Sequence, residues 1–196
     1  AQIAFEKALQ LAEKLQAEEE IAKIHLEFSV LFTFMFETAK AIEHVRTALV
    51  YFERVKDLSS LSLCQNNLAT AYMNAGDHQA AIEPLRKALL HCQQAKDSLG
   101  IASATSNLAE CFFEVGDSVQ AEQYAYQSID AEESNQIPYA YYTLGRVQWR
   151  STQYLQARES FHEGIRIAQR NQDTYIEAFL WQELGTSLFG QEESKE

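Results

Sequence analysis

The sequence predicts an all-α fold, a solenoid of about ten antiparallel helices. A pattern of small and large apolar residues recurs along the chain at intervals near 40 residues, and repeats of that length are typical of helical arrays. The chain contains only two prolines and seven glycines in 196 residues, too few for the turns of a β-sandwich. Glycine–aspartate pairs stand where one helix would end and the next begin.

The repeat is clearest in two segments, Asn67 to Asp77 and Asn107 to Asp117, which align at an offset of 40 residues. In five copies a large apolar residue precedes a small one, and successive copies are 40, 40, 36 and 40 residues apart. The small residues are Ser29, Ala69, Ala109, Gly145 and Gly185. A second small residue follows each of the first four copies after 12 residues, at Ala41, Ala81, Ala121 and Ala157. Two small positions per repeat predict two helices whose backbones approach closely.

This spacing sets the predicted boundaries. We expect a single solenoid over 1–190, followed by a polar tail at 191–196. Within the solenoid, the predicted elements are a lone second helix at 1–16, repeats at 20–57, 58–97, 98–134 and 135–173, and a lone first helix at 174–189.

Aspartates and glycines predict where the helices begin and end. Asp57, Asp97 and Asp173 share one position in the repeat and are expected to cap the first helix of the next repeat. Gly76 and Gly116 are expected to end first helices, with the following Asp77 and Asp117 capping the second helices. The 36-residue copy is expected to lose about one helical turn, and Pro138 suits the start of its first helix.

These small, large and aromatic positions resemble the tetratricopeptide repeat of the long class, with about 40 residues per copy. The array is similar to those of kinesin light chain, spindle-orientation adaptors and, through the stretch from Ala95 to Ala109, bacterial signalling ATPases and transcription regulators. The resemblance implies a right-handed superhelix whose concave groove is lined by the first helix of each repeat. The aromatic residue expected after the first small residue is present in the earlier copies but is replaced by Gln148 and Leu188 in the later ones.

Composition excludes several classes of partner. The net charge of −12 makes direct binding of nucleic acid or of an anionic membrane surface unfavourable. The most apolar stretch, 28–36, is too short to span a bilayer. Three cysteines without a C-x-x-C pair favour a reducing, cytoplasmic location over a disulfide framework. The chain begins with Ala1, and we expect it to be a segment of a longer protein.

The sequence contains no motif for catalysis, for a metal or for a cofactor. Nucleotide-binding glycine loops, zinc-protease helices and nucleophile elbows are all missing. The five histidines never stand four residues apart, and Cys111 occupies a core-type position. We therefore predict that the protein is not an enzyme and holds no metal or cofactor.

The candidate binding site is the exposed face of the first helices, which the resemblance makes the groove. In each repeat this face comprises the positions two and three residues before the small residue and one, four and five residues after it. Asn67 and Asn107 hold the same position in adjacent repeats, and an amide can both donate to and accept from a peptide backbone. The resemblance implies that such asparagines hold an extended peptide. The candidate groove residues are Asn66, Asn67, Thr70, Asn74, Asn107, Glu110, Glu114, Tyr142, Arg146, Trp149 and Arg150.

Two questions stay open at this point. Arg146 and Arg150, flanked by Tyr142 and Trp149, are suited either to an acidic or phosphorylated ligand or to pairing with Glu110 and Glu114. The protein itself is either an interaction scaffold for a peptide or partner domain, within a larger regulatory protein, or the effector-sensing module of a signalling ATPase or transcription activator.

The two ends of the array carry apolar residues that no further repeat covers. The final helix has apolar or aromatic side chains around more than one face, including Tyr175, Phe179, Trp181, Leu188 and Phe189. Because uncovered apolar patches tend to find partners, we expect either that the chain continues or that two chains associate end to end.

Overall fold

The structure, a computed structural model, describes residues 1–131 and 134–193. Within them it contains ten helices and no strand. The helices are α1 (Gln2–Lys14), α2 (Glu18–Phe34), α3 (Thr38–Val55), α4 (Leu58–Asn74), α5 (His78–Ala95), α6 (Ser98–Glu114), α7 (Ser118–Ile129), α8 (Ile137–Arg150), α9 (Tyr154–Asn171) and α10 (Thr174–Glu193). The predicted all-α fold of about ten antiparallel helices is confirmed. We call α2, α4, α6, α8 and α10 the A helices and the other five the B helices.

Near the carboxyl end the observed helix extends beyond the predicted boundary. The sequence places the end of the last helix at 189 and a polar tail at 191–196, whereas α10 continues to Glu193. Glutamine and glutamate are good helix formers, so the helix extends into the tail. Residues 194–196 lie outside the described residues.

The aspartates predicted to begin the A helices cap them. Asp57 Oδ1 accepts hydrogen bonds from the backbone N–H groups of Ser59 and Ser60, at 3.1 and 3.2 Å. Asp97 and Asp173 each accept one such bond, at 3.0 and 3.2 Å. The first N–H groups of a helix have no partner within it, so each cap stabilises its helix by about 1 kcal/mol.

Two of the connections from an A helix to a B helix turn at glycine, as predicted. Gly76 and Gly116 have φ angles of +78° and +90°, in the left-handed region that glycine adopts without strain. The following Asp77 and Asp117 accept backbone hydrogen bonds at 3.0 and 3.1 Å. Other helix ends place residues with side chains at positive φ, and the sequence pattern contains no signal for them.

Residues 1–100 form the first of two compact units, unit 1. Each of its first four helices packs on the next, and α2 also packs on α4. The predicted small residues Ser29 and Ala69 are fully buried, as close helix packing requires. The largest fully buried side chain is Phe52 on α3, which belongs to a cluster with Val45 and Cys64.

Residues 101–196 form the second unit, unit 2. In it α7 packs on α8, α8 on α9 and α9 on α10, while α8 also packs on α10. Gly145 on α8 is buried, and a Cβ atom there would lie 2.3 Å from the ring of Phe161 on α9. Gly185 differs from the other small residues, because it is exposed and its Cβ position meets nothing within 4 Å.

The 36-residue copy is short because its B helix is short. Helix α7 has 12 residues, whereas α3, α5 and α9 have 18 each. Pro138 is the second residue of α8, where its missing N–H costs no helical hydrogen bond. The position of Pro138 agrees with the prediction, whereas α7 is six residues shorter than the other three B helices, more than the predicted loss of about one turn.

Candidate functional site

In unit 1, a cleft of about 190 Å³ opens between α2 and α4. Every residue that lines it occupies a position that the sequence assigns to the exposed face of an A helix. These residues are Val30, Thr33, Phe34, Asn67, Thr70 and Asn74. Helix α2 contributes the apolar side chains and α4 the amides, and Phe34 is 79% exposed. The α2–α4 cleft therefore has an apolar wall beside a polar one.

Some polar groups of the α2–α4 cleft form hydrogen bonds within the protein. The hydroxyls of Thr33 and Thr70 donate to backbone carbonyls one turn earlier, at 2.8 and 2.9 Å. Asn67 Nδ2 donates to Ser29 Oγ over a long 3.4 Å. A hydroxyl that donates keeps its capacity to accept, and an amide has two donors and an acceptor. The cleft can thus exchange hydrogen bonds with a peptide backbone.

In unit 2, a larger pocket of about 250 Å³ lies among α6, α8 and α10. Four aromatic rings dominate it, and Glu110 is its charged lining residue. The residues of this α6–α8–α10 pocket are Ser106, Asn107, Glu110, Gln136, Tyr139, Tyr142, Thr143, Tyr175, Ile176 and Phe179. The candidate residues Asn107, Glu110 and Tyr142 are therefore brought together here.

Two phenol groups of the pocket donate to carboxylates. Tyr139 Oη donates to Asp173 Oδ2 at 3.1 Å, and Tyr142 Oη donates to Glu183 Oε1 at 3.4 Å. Burial, followed by the charge of Asp173 and its hydrogen bond, raises the pKa of Tyr139 to about 12. Burial is also the largest cause that raises the pKa of Tyr142, against the opposing charge of Arg146. Both phenols are therefore neutral donors at physiological pH.

The two candidate arginines form a separate cluster beside the pocket. Arg146 Nη2 lies 2.9 Å from Glu114 Oε1, and its Nε lies 3.9 Å from Glu183. Arg150 Nη1 donates to the carbonyl oxygen of Phe113 at 3.0 Å. Both guanidinium groups stack on the Phe113 ring, 4.0 and 3.8 Å from its centroid. Of the two alternatives left open by the sequence, these contacts favour pairing within the protein.

Two candidate residues lie apart from these sites. Trp149 packs on Tyr154, with ring centroids 4.6 Å apart, and against the buried cluster that contains Phe161. Asn66 is half-buried on α4 but does not line the α2–α4 cleft. The repeat position alone therefore does not decide whether an A-helix residue reaches a cavity.

The sequence pattern did not indicate the part of the pocket that the amino-terminal ends of α8 and α10 contribute. The missed lining residues are Gln136, Tyr139, Tyr175, Ile176 and Phe179. A signal was present, because Tyr139 and Phe179 both stand six residues before the small residue of their repeats. An aromatic residue repeated at one position of successive A helices indicates a shared surface.

A histidine pair in unit 1 was also missed. The Nδ1 atoms of His25 and His44 lie 2.8 Å apart, and the His44 ring stacks on Phe28 and Phe32. Burial is the main cause that lowers the pKa of each histidine, and the charge of His44 adds to the effect on His25. The two residues belong to different helices, so the spacing of residues within one helix could not indicate their contact.

The cysteines are buried thiols, as expected for Cys111. Desolvation raises the pKa of Cys64 and of Cys111 to about 12, which suppresses the reactive thiolate. Among the described side chains, no group of three or more His, Cys, Asp or Glu is placed to hold a metal ion. No described helix combines the length and apolarity that crossing a membrane would require.

Apolar side chains are exposed on the first and last helices. Ile3 and Leu15 are exposed beside α1, at 82% and 78%, and Tyr175 and Trp181 are exposed on α10, at 67% and 49%. The side chain of Phe189 lies outside the described residues. These exposures match the sequence expectation, while association of two chains stays a prediction.

The cavities and the paired helices define a helical-repeat array with exposed A-helix faces. Residues 60–134 match the family described as tetratricopeptide repeat. No curated protein sequence matches the chain. Together with the solved structures described next, this match shows that the chain folds as a tetratricopeptide repeat array.

Several solved structures share the fold. The Rap protein complexed with Competence and Sporulation Factor superposes with a TM-score of 0.77 at 22% identity, over 89% of this chain and 50% of its own. NprR in complex with its cognate peptide NprX gives 0.64 at 19%, over 98% and 57%. A putative kinesin light chain from Podospora anserina gives 0.66 at 16%, over 93% and 88%. The chain thus spans about half the length of the first two proteins.

Proposed function

We propose that this chain is a protein-interaction scaffold that binds extended peptide segments, or such segments of a partner domain, on the faces of its A helices. One observation carries the proposal: the A-helix faces assigned by the repeat spacing contribute to a cavity in each unit. They supply all six residues that line the α2–α4 cleft and five of the ten that line the α6–α8–α10 pocket. The α2–α4 cleft offers amides and hydroxyls, and the α6–α8–α10 pocket offers aromatic rings and a carboxylate. Such mixtures suit backbone hydrogen bonds combined with one anchored side chain.

A role as the sensing module of a larger regulator is the second candidate. It is supported by the likeness to Rap and NprR, whose structures were solved with the Competence and Sporulation Factor and with the peptide NprX. A signalling or transcription-regulating role follows only if the gene encodes further domains. A P-loop or a DNA-binding helix-turn-helix in the flanking sequence would favour this second candidate.

The proposal assigns binding rather than catalysis, and it places the protein in the cytoplasm. Three buried, unpaired cysteines suit a reducing compartment. Association of two chains through the apolar residues of α1 and α10 is part of the proposal, and sedimentation over a range of micromolar concentrations measures it.

Peptide selection tests the main proposal. A displayed library of random 12-residue peptides is selected on the immobilised chain, and the affinity of the enriched peptides is measured by calorimetry. The double variant Asn67→Ala, Asn107→Ala is expected to bind them roughly tenfold more weakly, because each lost hydrogen bond contributes about 0.5–1.5 kcal/mol.

The matched control removes one exposed amide from a B helix of each unit. The double variant Gln79→Ala, Gln123→Ala is expected to bind the same peptides unchanged. Equal binding by both double variants would contradict the proposal, as would a selection that enriches no peptide.

A further inference from the structure

The α6–α8–α10 pocket has the size of one side chain. Its volume of about 250 Å³ lies below the ~300–1,000 Å³ of cavities that enclose whole drug-sized ligands. A pocket of this size within a peptide-binding face is suited to anchoring a single residue. Its chemistry then determines which residue the protein prefers.

Four of the ten residues that line the pocket are aromatic, and three of their rings contact one another. The Tyr142 and Phe179 rings meet edge to face, with centroids 6.2 Å apart, and the centroids of Tyr175 and Phe179 are 4.9 Å apart. The negative face of an aromatic ring attracts a cation. The hydroxyl groups of Tyr139 and Tyr142 donate hydrogen bonds to carboxylates, and this increases the electron density of the two rings.

Negative charge surrounds these rings. Glu110 lines the pocket, while Asp173 and Glu183 accept the two phenol hydrogen bonds. Arg146 lies 5.1 Å from the Tyr142 centroid but does not line the pocket, and it pairs with Glu114 at 2.9 Å and with Glu183 at 3.9 Å. The local charge therefore favours a cation and opposes a carboxylate or a phosphate.

The charge of the whole unit acts in the same direction. Between 101 and 196 the sequence has 15 Asp and Glu residues against six Lys and Arg, which accounts for nine of the 12 net negative charges. Such a field raises the association rate of positively charged ligands.

We propose that the α6–α8–α10 pocket binds the guanidinium or ammonium group of a basic side chain, an arginine or lysine of the bound peptide. This inference rests on the proposed function and specifies its ligand. The faces of the aromatic rings contact the cation, and Glu110 provides the opposite charge at the pocket wall. Asn107 and Thr143 also line the pocket, and both side chains are neutral.

Three small probes test the chemistry on the full chain. Nα-acetyl-arginine methylamide, its neutral isostere Nα-acetyl-citrulline methylamide and Nα-acetyl-glutamate methylamide are each titrated, and the ring resonances of Tyr139, Tyr142 and Phe179 are followed by NMR. The arginine probe is expected to saturate these shifts and to bind at least about fivefold more tightly than citrulline, as one cation–π contact allows. The glutamate probe is expected to cause no saturable shift.

Two variants assign the binding to this pocket. Glu110→Gln keeps the side-chain shape and is expected to weaken arginine binding severalfold, and Phe179→Leu is expected to do the same by removing a ring. Glu159→Gln, which removes one exposed charge on α9, is the matched control and is expected to have no effect. Circular dichroism of each variant tests whether its helix content is unchanged.

Several outcomes would overturn the inference: no saturable shift with arginine, equal affinity for arginine and citrulline, or unchanged arginine binding by Glu110→Gln and Phe179→Leu. Failure of the inference is distinct from failure of the proposed function. Selected peptides that bind tightly without a basic residue would refute only the basic anchor. Saturable arginine binding with no enriched peptide would instead refute the proposed peptide scaffold.

Discussion

The α2–α4 cleft of unit 1 has two asparagines and two threonines beside one valine and one phenylalanine. The α6–α8–α10 pocket of unit 2 has three tyrosines, a phenylalanine and a glutamate among its ten lining residues. The charge differs as well, because unit 1 has 13 acidic against 10 basic side chains and unit 2 has 15 against six. The buried framework differs far less. Both units pack A helices on B helices around small residues and at least one fully buried phenylalanine.

This difference shows which positions the repeat constrains. The small residues Ala69, Ala109 and Gly145 let two backbones approach, so any larger residue would need space that the helices do not leave. Positions on the exposed A-helix faces carry no such restriction. Chemistry can therefore diverge from one repeat to the next while the fold stays the same.

The largest effect is expected where the two units are most alike. Phe52→Ala in unit 1 and Phe161→Ala in unit 2 each remove a ring that is 1% exposed. Each change is expected to lower the free energy of unfolding by about 3–5 kcal/mol, through lost burial and the cavity that remains. Urea unfolding followed by circular dichroism measures both.

Phe34→Ala is the control for this pair, because its ring is 79% exposed. We expect a change within about 0.5 kcal/mol, as for an ordinary surface substitution. A loss below about 1 kcal/mol for either buried ring would mean that the units do not share equally packed cores.

The same distinction explains what the sequence could predict. Small residues at fixed spacing and capping aspartates such as Asp57 and Asp117 report local and nearest-neighbour geometry, so the existence of the helices could be predicted from them. The α2–α4 cleft lies on faces that this spacing defines, and its residues were predicted. Contacts such as that of His25 with His44 depend on how two helices rotate against each other, which no single helix's pattern encodes.

The pocket residues at the amino-terminal ends of α8 and α10 were missed for a related reason. The predicted face began three residues before each small residue, whereas Tyr139 and Phe179 stand six before it. Their long rings reach a cavity that a shorter side chain at that position would leave unlined. Side-chain length therefore extends a binding face beyond the positions that backbone geometry defines.

A smaller effect is expected from the glycine that distinguishes α8. A Cβ atom at Gly145 would lie 2.3 to 2.8 Å from three atoms of the Phe161 ring, so Gly145→Ala is expected to cost about 1–3 kcal/mol by overpacking. The equivalent residue of unit 1, Ala69, is fully buried, so the packing of unit 1 accommodates a Cβ atom at this position. Thermal and urea unfolding measure the loss.

Two further variants isolate the cause. Gly185→Ala, at an exposed helical position with open space, is expected to stabilise the protein by about 0.5–1 kcal/mol through backbone entropy. In the background of Phe161→Leu, Gly145→Ala is expected to lower the free energy of unfolding by less, because the ring that the new Cβ atom would contact is absent. An equal cost in both backgrounds would show that the Phe161 contact does not require glycine.

The smallest effect is expected from the histidine pair of unit 1, because both rings are only half-buried. With Nδ1 atoms 2.8 Å apart, one histidine donates and the other accepts, so the pair cannot hold a proton on both facing nitrogens. Burial, together with the charge of His44 acting on His25, lowers the pKa of both below the ordinary value, while Glu13 and Glu43 oppose this.

The sign of the pH effect follows from these lowered pKa values. Below about pH 6.5 the unfolded chain binds more protons at these two sites than the folded chain, so stability is full above that pH and falls as the pH decreases. We expect His44→Phe to reduce the loss of unfolding free energy between pH 7.5 and 5.5, measured by urea unfolding at both values. His162→Gln, an exposed histidine on α9, is expected to leave that loss unchanged. The unsubstituted chain, His44→Phe and His162→Gln could all show the same loss of unfolding free energy between the two pH values. The carboxylates common to both units would then determine the acid sensitivity, and the histidine pair would not distinguish unit 1.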